Sequence, residues 1–379
     1  MEFSCLRDEL WFGVKTVGRA LGAGRGMPIL GGIKLKVEDD RLTLQATDLE
    51  QAISFALPVE NREGGEAHEA LVNGEILTKV ANRLPQDEVV VRTVEERVEL
   101  SCGGVKIDLF TMPLEDYPEI PKLPVEMICS LSREKLLRGL DQTTFAALSA
   151  RETSRLSLTG VNMILQEDKL RLVATNGYRL ALREEPLEEP PAGGGGEYLV
   201  GSNSLKELLG ILAQLDTERV ELYRDEQAQN LFFVAGDVIF IAKLLGEEYP
   251  DFERVIPREN KIALKLDRLA LLAALQRAEI TAAEESGAVI LEVDEGGEAL
   301  SISSSSAEKG EAQEVLKLLR PTEPIKISFK AEYLIEALKK IDSPEVTLWL
   351  NDPESAGLLE PAGEEDSGFL YVCMPIRMD

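Results

Sequence analysis

Residues 42–57 read LTLQATDLEQAISFAL, and this strand-like stretch occurs twice more in the chain. Its later copies are LRLVATNGYRLALREE at 170–185 and LSISSSSAEKGEAQEV at 300–315, offset by 128 and then 130 residues. The third copy is the most diverged. Self-similarity at a nearly fixed period indicates a repeated structural unit.

A second element recurs at a similar period, as ALVNGEILTKVANRLPQDEVVVRTV, YLVGSNSLKELLGILAQLDTERVELYR and ISFKAEYLIEALKKIDSPEVTLWL. Each copy reads as a strand, a helix of about three turns and another strand. MPLEDYPEIP and LLGEEYPDFERVIP repeat as well. Three element types recurring together argue against chance similarity among ordinary domains. We therefore predict three domains, at residues 1–122, 123–253 and 254–379.

Each third also contains an amphipathic helix pattern, in LRDELWFGVKTVGRALG, SREKLLRGLDQTTFAAL and LDRLALLAALQRAEI, where apolar residues recur at helical spacing. Period-two runs such as GGIKLKVEDDRLTLQATD and NLFFVAGDVIFIAKLLG, with turn residues at their centres, predict antiparallel hairpins. The predicted fold class is α+β, with two helices packed on antiparallel sheets in each of three repeated domains.

Composition excludes several classes of function. The formal net charge of −27 opposes nucleic-acid binding over most of the surface. The chain has no long apolar run and no basic, apolar leader at its start, so we expect a cytoplasmic protein without membrane contact. A paired-carboxylate enzyme such as a glycosidase stays an alternative, but abundant acids make such pairs uninformative, and 5% aromatic residues is low for sugar stacking.

Cysteine and histidine usage argues against catalytic and metal sites. The four cysteines stand far apart and lack zinc-ligand spacing, so we interpret them as reduced, mostly buried residues. His68 is the single histidine and falls in a polar segment predicted as a surface loop, which leaves histidine-based triads and zinc motifs without their imidazoles. We predict no enzyme activity, no catalytic residues, no metal and no cofactor.

The predicted helices are more basic than the rest of the chain. The six predicted helices carry a net charge of +6, which leaves −33 for the remainder; they are 7–21, 73–85, 132–140, 203–215, 265–279 and 330–341. If the helices faced a central hole, the hole would attract phosphates while the exterior repelled them. Charge alone leaves the ordinary alternative open, because exposed helices commonly carry Lys and Arg.

Seven segments taken together resemble the bacterial sliding clamp family, the beta subunit of DNA polymerase III. They are MPILGGIKL, ATDLEQAI, TMPLEDYPEIP, LTGV, ATNGYRLAL, YPDFERVIP and YVCMPIRMD, and they span essentially the whole chain. The resemblance implies a homodimeric ring of six domains, with helices lining the hole and sheets outside. It also implies a processivity factor that encircles duplex DNA without sequence preference. The implied partners are the polymerase III catalytic subunit, the clamp loader, and other polymerases and repair proteins. An acidic interaction scaffold without a DNA role is the remaining alternative.

The resemblance also implies a pocket between the second and third domains that takes short apolar peptide motifs. Mapped onto this sequence, it comprises Leu158, Thr175, Gly177, Tyr178, Arg179, Leu180, Pro250, Arg254, Val255, Tyr333, Val372, Met374, Pro375, Ile376, Arg377 and Met378. The aliphatic members offer apolar sockets, and Arg179 and Arg377 are expected to meet polar or acidic flanks.

Some positions depart from the family pattern. Asn176 and Tyr178 stand where the family commonly has aspartate and histidine, although Tyr178 keeps an aromatic wall. Ser286 stands where a family member can present a phenylalanine, and Lys330 and Pro353 fall where other polar lining residues occur. The outer lip of the pocket is therefore the least defined part.

Contacts to DNA and between subunits are assigned by the same resemblance and by helix charge. The DNA candidates are Arg25, Lys79, Arg83, Arg138, Arg151 and Arg155. The dimer-interface candidates are Ile107 and Leu109 of the first domain, against a helix end near Ile280 of the third. Ordinary core packing explains these three apolar residues nearly as well.

Overall fold

The computed structural model describes residues 1–22, 26–62, 67–85, 87–151, 153–227 and 229–378. Within them the chain forms six α-helices, two in each predicted repeat. They are α1 (Arg7–Val17), α2 (Gly74–Arg83), α3 (Arg133–Thr143), α4 (Ser202–Leu212), α5 (Arg268–Thr281) and α6 (Ala331–Leu338). All six predicted helices are present. Asn73 and Asp267 cap α2 and α5, because their side chains accept a hydrogen bond from the backbone N–H three residues on, at 3.0 and 2.7 Å.

The observed helix limits change the charge prediction. The six helices together carry a net charge of +1 instead of the +6 of the predicted windows. Most of the difference is basic residues that lie just beyond the helix ends: Arg19, Lys265, Lys330, Lys339 and Lys340. The size of the predicted basic excess was therefore wrong, and any attraction between these helices and phosphate is weaker than expected.

The chain divides into two compact units, and the first comprises residues 1–134, 191–193 and 204–244. Its strands are β1 (Glu2–Leu6), β2 (Gly32–Glu38), β3 (Arg41–Thr47), β4 (Gln51–Pro58), β5 (Glu60–Asn61), β6 (His68–Asn73), β7 (Glu88–Val94), β8 (Arg97–Cys102), β9 (Val105–Phe110), β10 (Met127–Ser132), β15 (Arg219–Arg224), β16 (Asn230–Ala235) and β17 (Val238–Lys243). They form a five-stranded sheet, β5-β1-β7-β8-β9, and an eight-stranded sheet, β10-β15-β16-β17-β4-β3-β2-β6.

The second unit comprises residues 135–190, 194–203 and 245–379. Its strands are β11 (Gly160–Leu165), β12 (Lys169–Thr175), β13 (Arg179–Pro186), β14 (Gly196–Gly201), β18 (Ile262–Asp267), β19 (Ala288–Val293), β20 (Ala299–Ser306), β21 (Gly310–Lys317), β22 (Ile325–Lys330), β23 (Glu345–Leu350), β24 (Gly357–Pro361) and β25 (Phe369–Cys373). They form an eight-stranded sheet, β14-β11-β12-β13-β25-β24-β23-β18, and a four-stranded sheet, β21-β20-β19-β22.

Each eight-stranded sheet joins strands from two successive repeats. In the first unit, antiparallel pairing of β17 with β4 places Phe240 opposite Ile53. In the second unit, β25 pairs with β13 in the same way and places Tyr371 opposite Ala181. All four residues are fully buried. The middle repeat thus contributes half of its strands to each unit, and hydrogen-bonded ladders run across the predicted repeat boundaries.

The cysteines are buried as predicted, whereas His68 lies on a strand and not in a loop. All four cysteines are free and buried, as predicted. Burial raises the pKa of the Cys5, Cys129 and Cys373 thiols to about 12, so these thiols are unreactive near neutral pH. His68 was predicted in a loop but is the first residue of β6, where it pairs with Val37 of β2.

No helix among the described residues has both the length and the apolar character needed to cross a membrane. Those residues also contain no group of three or more His, Cys, Asp or Glu side chains placed to hold a metal ion.

Candidate functional site

A tight turn between β12 and β13 forms one wall of a surface groove in the second unit. The Thr175 hydroxyl donates to the carbonyl of Arg179 at 2.6 Å, and the carboxamide oxygen of Asn176 accepts from the N–H groups of Tyr178 and Arg179 at 2.9 and 3.0 Å. Gly177 has φ +88°, a conformation that favours glycine. This turn leaves the Tyr178 ring 66% exposed beside the groove.

The groove has a volume of about 220 Å³ and a mainly apolar lining. Strand β25 supplies Val372, and Met374 follows it, held to the turn by a hydrogen bond from its N–H to the carbonyl of Tyr178 at 2.8 Å. The 3₁₀ turn Phe252–Val255 closes another side. The lining residues are Arg155, Leu158, Thr175, Gly177, Tyr178, Arg179, Leu180, Pro250, Asp251, Phe252, Val255, Val372 and Met374. Such a concave apolar surface with few polar groups suits an apolar ligand.

A buried apolar cluster supports the groove floor. Its members are Ile164, Val173, Leu180, Leu182, Phe252, Leu358 and Val372. The guanidinium of Arg171 lies 5.1 Å from the centroid of the Phe252 ring and also forms ion pairs with Glu184 and Glu253, at 2.7 and 2.6 Å. The position of Phe252 is therefore fixed from below, so the groove is already formed without a ligand.

The Arg179 side chain is engaged inside the protein. It is 9% exposed, pairs with Glu336 of α6, and donates to the carbonyl of Phe145 at 2.7 Å. Its guanidinium lies over the Phe145 and Tyr333 rings, 5.3 and 4.6 Å from their centroids. We expected Arg179 to meet polar flanks of a ligand. That expectation stays a prediction, because Arg179 is among the residues that line the groove while these contacts hold its guanidinium against the protein beside the turn.

Ten of the sixteen predicted pocket residues line the groove, while six do not. Tyr333 lies behind the wall, against Arg179. Arg254 is mainly exposed and pairs with Asp251 at 2.7 Å. After Met374, Pro375 and Ile376 are half-buried, whereas Arg377 and Met378 are exposed.

The three residues at the less defined lip also lie outside this lining: Ser286, Lys330 and Pro353. Ser286 accepts a hydrogen bond from the N–H of Ala288 at 3.3 Å. Lys330 lies over the Tyr333 ring at 4.8 Å and pairs with Glu332. The Lys330 side chain is therefore held by contacts with Tyr333 and Glu332 and does not line the groove.

Two lining residues, Asp251 and Phe252, were missed from the sequence. Both lie between the predicted Pro250 and Val255, in the repeated segment YPDFERVIP, so their position in that segment was the signal. Arg155 was assigned to DNA but lies at the groove. A cation at the rim of an apolar groove suits an acidic residue in a ligand, so Arg155 has a second interpretation.

The remaining DNA candidates are spread over both units. Arg25 lies outside the described residues. Lys79 is exposed on α2 and pairs with Glu75, which partly neutralises it. Arg83, in the last turn of α2, and Arg151 are exposed, and Arg138 of α3 is half-buried. Lys79, Arg83, Arg138 and Arg151 are not among the residues that line the groove.

The dimer candidates lie on an edge strand and at a helix end. Strand β9 is the last strand of the five-stranded sheet; on it Leu109 is buried, Ile107 is half-buried and Phe110 is 72% exposed. Ile280, in the last turn of α5, is 70% exposed. An unpaired strand edge with large exposed apolar side chains is typical of an interaction surface.

Comparisons with known proteins identify the family. Residues 1–121, 130–251 and 253–377 match the family models for the N-terminal, central and C-terminal domains of the DNA polymerase III beta subunit. The beta sliding clamp of Synechococcus elongatus is 31% identical, and that of Pseudomonas putida 28% identical, each over the full length of both chains.

Solved structures agree. The DNA polymerase III beta subunit of Pseudomonas aeruginosa is 28% identical with a TM-score of 0.91. A structure of that species' sliding clamp bound to griselimycin is 27% identical, also with a TM-score of 0.91. The beta subunit of Thermotoga maritima is 26% identical with a TM-score of 0.90. All three cover both chains completely and confirm the predicted α+β fold of three repeated domains. With three domain models matched in order and a relative 31% identical from end to end, the chain belongs to the DNA polymerase III beta-subunit family, the beta sliding clamps.

Proposed function

We propose that this chain is a DNA sliding clamp: two copies close into a ring around duplex DNA, and the groove tethers the replicative polymerase and other DNA-handling proteins. It acts by binding and not by catalysis, and the relatives named above are sliding clamps or polymerase III beta subunits. The boundaries 122/123 and 253/254 are proposed as its domain limits. We expect it to work in the cytoplasm, where bacterial chromosomal DNA lies.

The proposed ring is supported by two edge strands, β9 and β21, that have no further strand beside them among the described residues. In both repeat junctions, the strand that ends one repeat (β17 or β25) pairs with the outermost strand that the preceding repeat contributes to the same sheet (β4 or β13). The first repeat has an equivalent of β17 in β9, and the third has an equivalent of β4 in β21, and both are edge strands. Pairing of β21 in one copy with β9 in another would complete the series and remove two exposed edges.

The register of that pairing follows from the two existing junctions. Ile107 is the third residue of β9, as Phe240 is of β17 and Tyr371 of β25. Ala312 faces Ser304 across its hairpin, as Ala181 faces Ala174 in the second repeat. We therefore place Ile107 opposite Ala312 of the partner copy. Both are half-buried in one chain, while their equivalents in the formed junctions are fully buried.

Retention on DNA would come from topology more than from affinity. The chain carries a net charge of −27 and the helices only +1, so few counterions would be released on contact with phosphates. Weak, rapidly exchanged contacts permit sliding. The proposed contacts are Arg25, Lys79, Arg83, Arg138, Arg151 and Arg155.

The groove is the proposed tether. Its apolar floor and the exposed Tyr178 and Met374 would hold short apolar motifs from the polymerase III catalytic subunit, the clamp loader and repair proteins. Tyr333, Arg254, Pro375, Ile376, Arg377 and Met378 lie outside the groove lining and stay proposals for longer ligands.

Two measurements test the ring. We expect a particle of about twice the 41.7 kDa chain mass, which stays on circular DNA after loading and is lost when the circle is cut. Equal retention on both forms would contradict encirclement. Cysteines at Ile107 and Ala312 should form a disulfide between chains. A Lys106→Cys, Ala312→Cys pair is the control, because a shift of one residue turns its side chain to the other face.

A further inference from the structure

A row of aromatic rings and cations lies behind the groove wall. The Tyr371 and Phe145 rings are stacked, with 5.9 Å between their centroids. The Arg179 guanidinium lies over the Phe145 and Tyr333 rings, and the Lys330 ammonium lies over the Tyr333 ring at 4.8 Å. Cation–π contacts are strongest where water is excluded, and Arg179 is 9% exposed. The row therefore connects β25, the segment after α3, the start of β13 and α6.

Tyr333 of α6 has a second contact with the turn between β12 and β13. The carboxamide oxygen of Asn176 accepts from the N–H groups of Tyr178 and Arg179, which assigns the orientation of the amide. The amide nitrogen faces the Tyr333 hydroxyl and donates to it at 3.3 Å. Together with the ion pair of Arg179 and Glu336, these contacts tie the turn to α6 at three points.

The acid that pairs with Arg179 has an equivalent in the first unit. Glu207 is the sixth residue of α4, as Glu336 is of α6. Glu207 also forms an ion pair, with Arg19 at 2.8 Å. The two carboxylate side chains are similarly exposed, at 38% and 37%. The same helix position therefore carries a paired acid at both repeat junctions.

The two junctions differ in the segment that supplies the cation. Arg19 stands two residues after the end of α1, and the residue at the same distance after α3 is Phe145. In the turn, Arg179 occupies the position of Gln51 of the first unit. Gln51 donates to the Arg19 carbonyl at 3.3 Å, as Arg179 donates to that of Phe145 at 2.7 Å. The ion pair thus joins two helical segments in the first unit, whereas in the second unit it joins the groove wall to α6.

We propose that Glu336 is a positioning residue for the peptide groove, although it does not line the groove itself. This inference rests on the proposed tether and adds α6 to the segments that shape it. Glu336 holds the Arg179 guanidinium, and Arg179 directly follows the exposed Tyr178. The Tyr178 carbonyl accepts the hydrogen bond from the N–H of Met374. Through these contacts the acid fixes the spacing of two exposed apolar side chains before a ligand binds.

Loss of the Glu336 charge would leave the Arg179 cation buried without its anionic partner. Such a cation is strongly destabilising, so the guanidinium would turn toward water. Because Arg179 is also one of the lining residues, that movement would change the shape of the groove wall. The expected result is weaker peptide binding in a protein that is still folded.

Glu336→Gln tests this role, because glutamine keeps the size of the side chain and removes its charge. In calorimetric titration of the full chain, the dissociation constant of a synthetic peptide with the clamp-binding motif of the polymerase III catalytic subunit should rise about tenfold. Glu336→Asp keeps a carboxylate and should bind the peptide nearly as well as the parent. Thermal melting verifies folding, and a role in stability alone would lower the melting temperature without changing peptide affinity.

Glu207→Gln is the matched control, because it removes the equivalent ion pair of the first unit and should leave peptide affinity unchanged. A double variant tests whether Glu336 acts through Arg179. Adding Glu336→Gln to Arg179→Met should then weaken binding by less than about twofold.

Four results would overturn the inference while leaving the groove as the binding site: parent-like affinity in Glu336→Gln, an equal loss in Glu336→Asp, an equal loss in Glu207→Gln, or additive losses in the double variant. A parent protein that does not bind the peptide would overturn the proposed tether, and this inference with it.

Discussion

The same strand junction occurs twice in this chain. The two copies have equivalent backbone hydrogen bonds but different side chains at the surface. In the turn before β4, the Thr47 hydroxyl donates to the carbonyl of Gln51 at 2.8 Å. In the turn before β13, Thr175 makes the equivalent bond to Arg179 at 2.6 Å. The hydrogen bond from the last strand is also repeated: the backbone N–H of Lys243 donates to the Glu50 carbonyl, and that of Met374 donates to the Tyr178 carbonyl.

Side chains separate the two junctions. Glu50 and Lys243 are charged where the second junction has Tyr178 and Met374. The buried cluster beside β4 is small, with Ala52, Phe232 and Ile241 at its centre. The comparison indicates that the repeated backbone fixes where a groove can form, while a few wall and floor residues decide whether apolar ligands bind there.

The largest expected effect concerns the interior of β13. Arg183 there donates to Glu185 at 2.8 Å and to Gln142 at 3.0 Å, and all three are buried. The first junction has Phe55 and Leu57 at the positions of Arg183 and Glu185. Arg183→Met leaves the Glu185 carboxylate buried without its partner and should cost about 3–5 kcal/mol in the free energy of unfolding.

Urea unfolding of the second unit, followed by Trp349 fluorescence in a Trp11→Phe background, measures that cost. The double variant Arg183→Phe, Glu185→Leu copies the first junction and should recover most of it, because no buried charge is left unpaired. A loss below about 1 kcal/mol for Arg183→Met would show that water reaches this network.

The next effect concerns the groove wall. Met374→Ala should weaken binding of an apolar clamp-binding peptide by about 1–3 kcal/mol, because Met374 is an exposed apolar contact of the lining. Lys243→Ala, at the equivalent position of the first junction, is the control and should leave binding unchanged. Calorimetric titration of each variant with the same unlabelled peptide distinguishes these results. Equal losses of peptide affinity in both variants would reject the groove as the binding site.

A smaller effect concerns pH. Cys373 stands where the first junction has Ala242, and burial raises the pKa of its thiol from 9.0 to about 12. The folded state therefore keeps the thiol proton at pH values where the unfolded state has lost it. The free energy of unfolding is unaffected by this thiol below about pH 9 and falls as the pH rises toward 12. The loss from the Cys373 thiol alone should reach about 1.4 kcal/mol at pH 10.

Urea midpoints at pH 8 and pH 10 check this expectation for the parent and for Cys373→Ala, in which the decline should be shallower. Ala242→Cys, the reciprocal change, should steepen the decline. An identical pH dependence in all three proteins would contradict the assignment.

The smallest effect lies in the two turns. Leu49 has φ +75° where the second turn has Gly177 at φ +88°. A leucine in this region is strained, so Leu49→Gly should stabilise the first unit by about 0.5 kcal/mol, and Gly177→Ala should destabilise the second by a similar amount. Thermal melting measures both. A loss of stability in Leu49→Gly would mean that the exposed Leu49 side chain contributes more than its backbone strain costs.

Local patterns in the sequence predicted the repeat and all six helices, because buried faces leave a regular period, whereas the groove residues were assigned through the resemblance to the family. They did not predict the internal contacts of Arg179, because its partners Phe145 and Glu336 are distant from it in sequence and belong to no recognisable motif. The helix charge was overestimated because Lys339 and Lys340 lie beyond the end of α6. Such outcomes depend on a single helical turn or on a long-range contact, and neither leaves a periodic signal.

The pairing of β4 with β17 also bears on synthesis. The first strand is finished at Pro58, yet its partner ends at Lys243, so a growing chain carries the bare edge of β4 while about 185 further residues are added. At translation rates of roughly 5–20 residues per second, that interval lasts about 10–40 s. The nascent protein must stay dispersed on the ribosome throughout this time, and its strongly acidic composition supplies the repulsion between neighbouring chains that makes this possible.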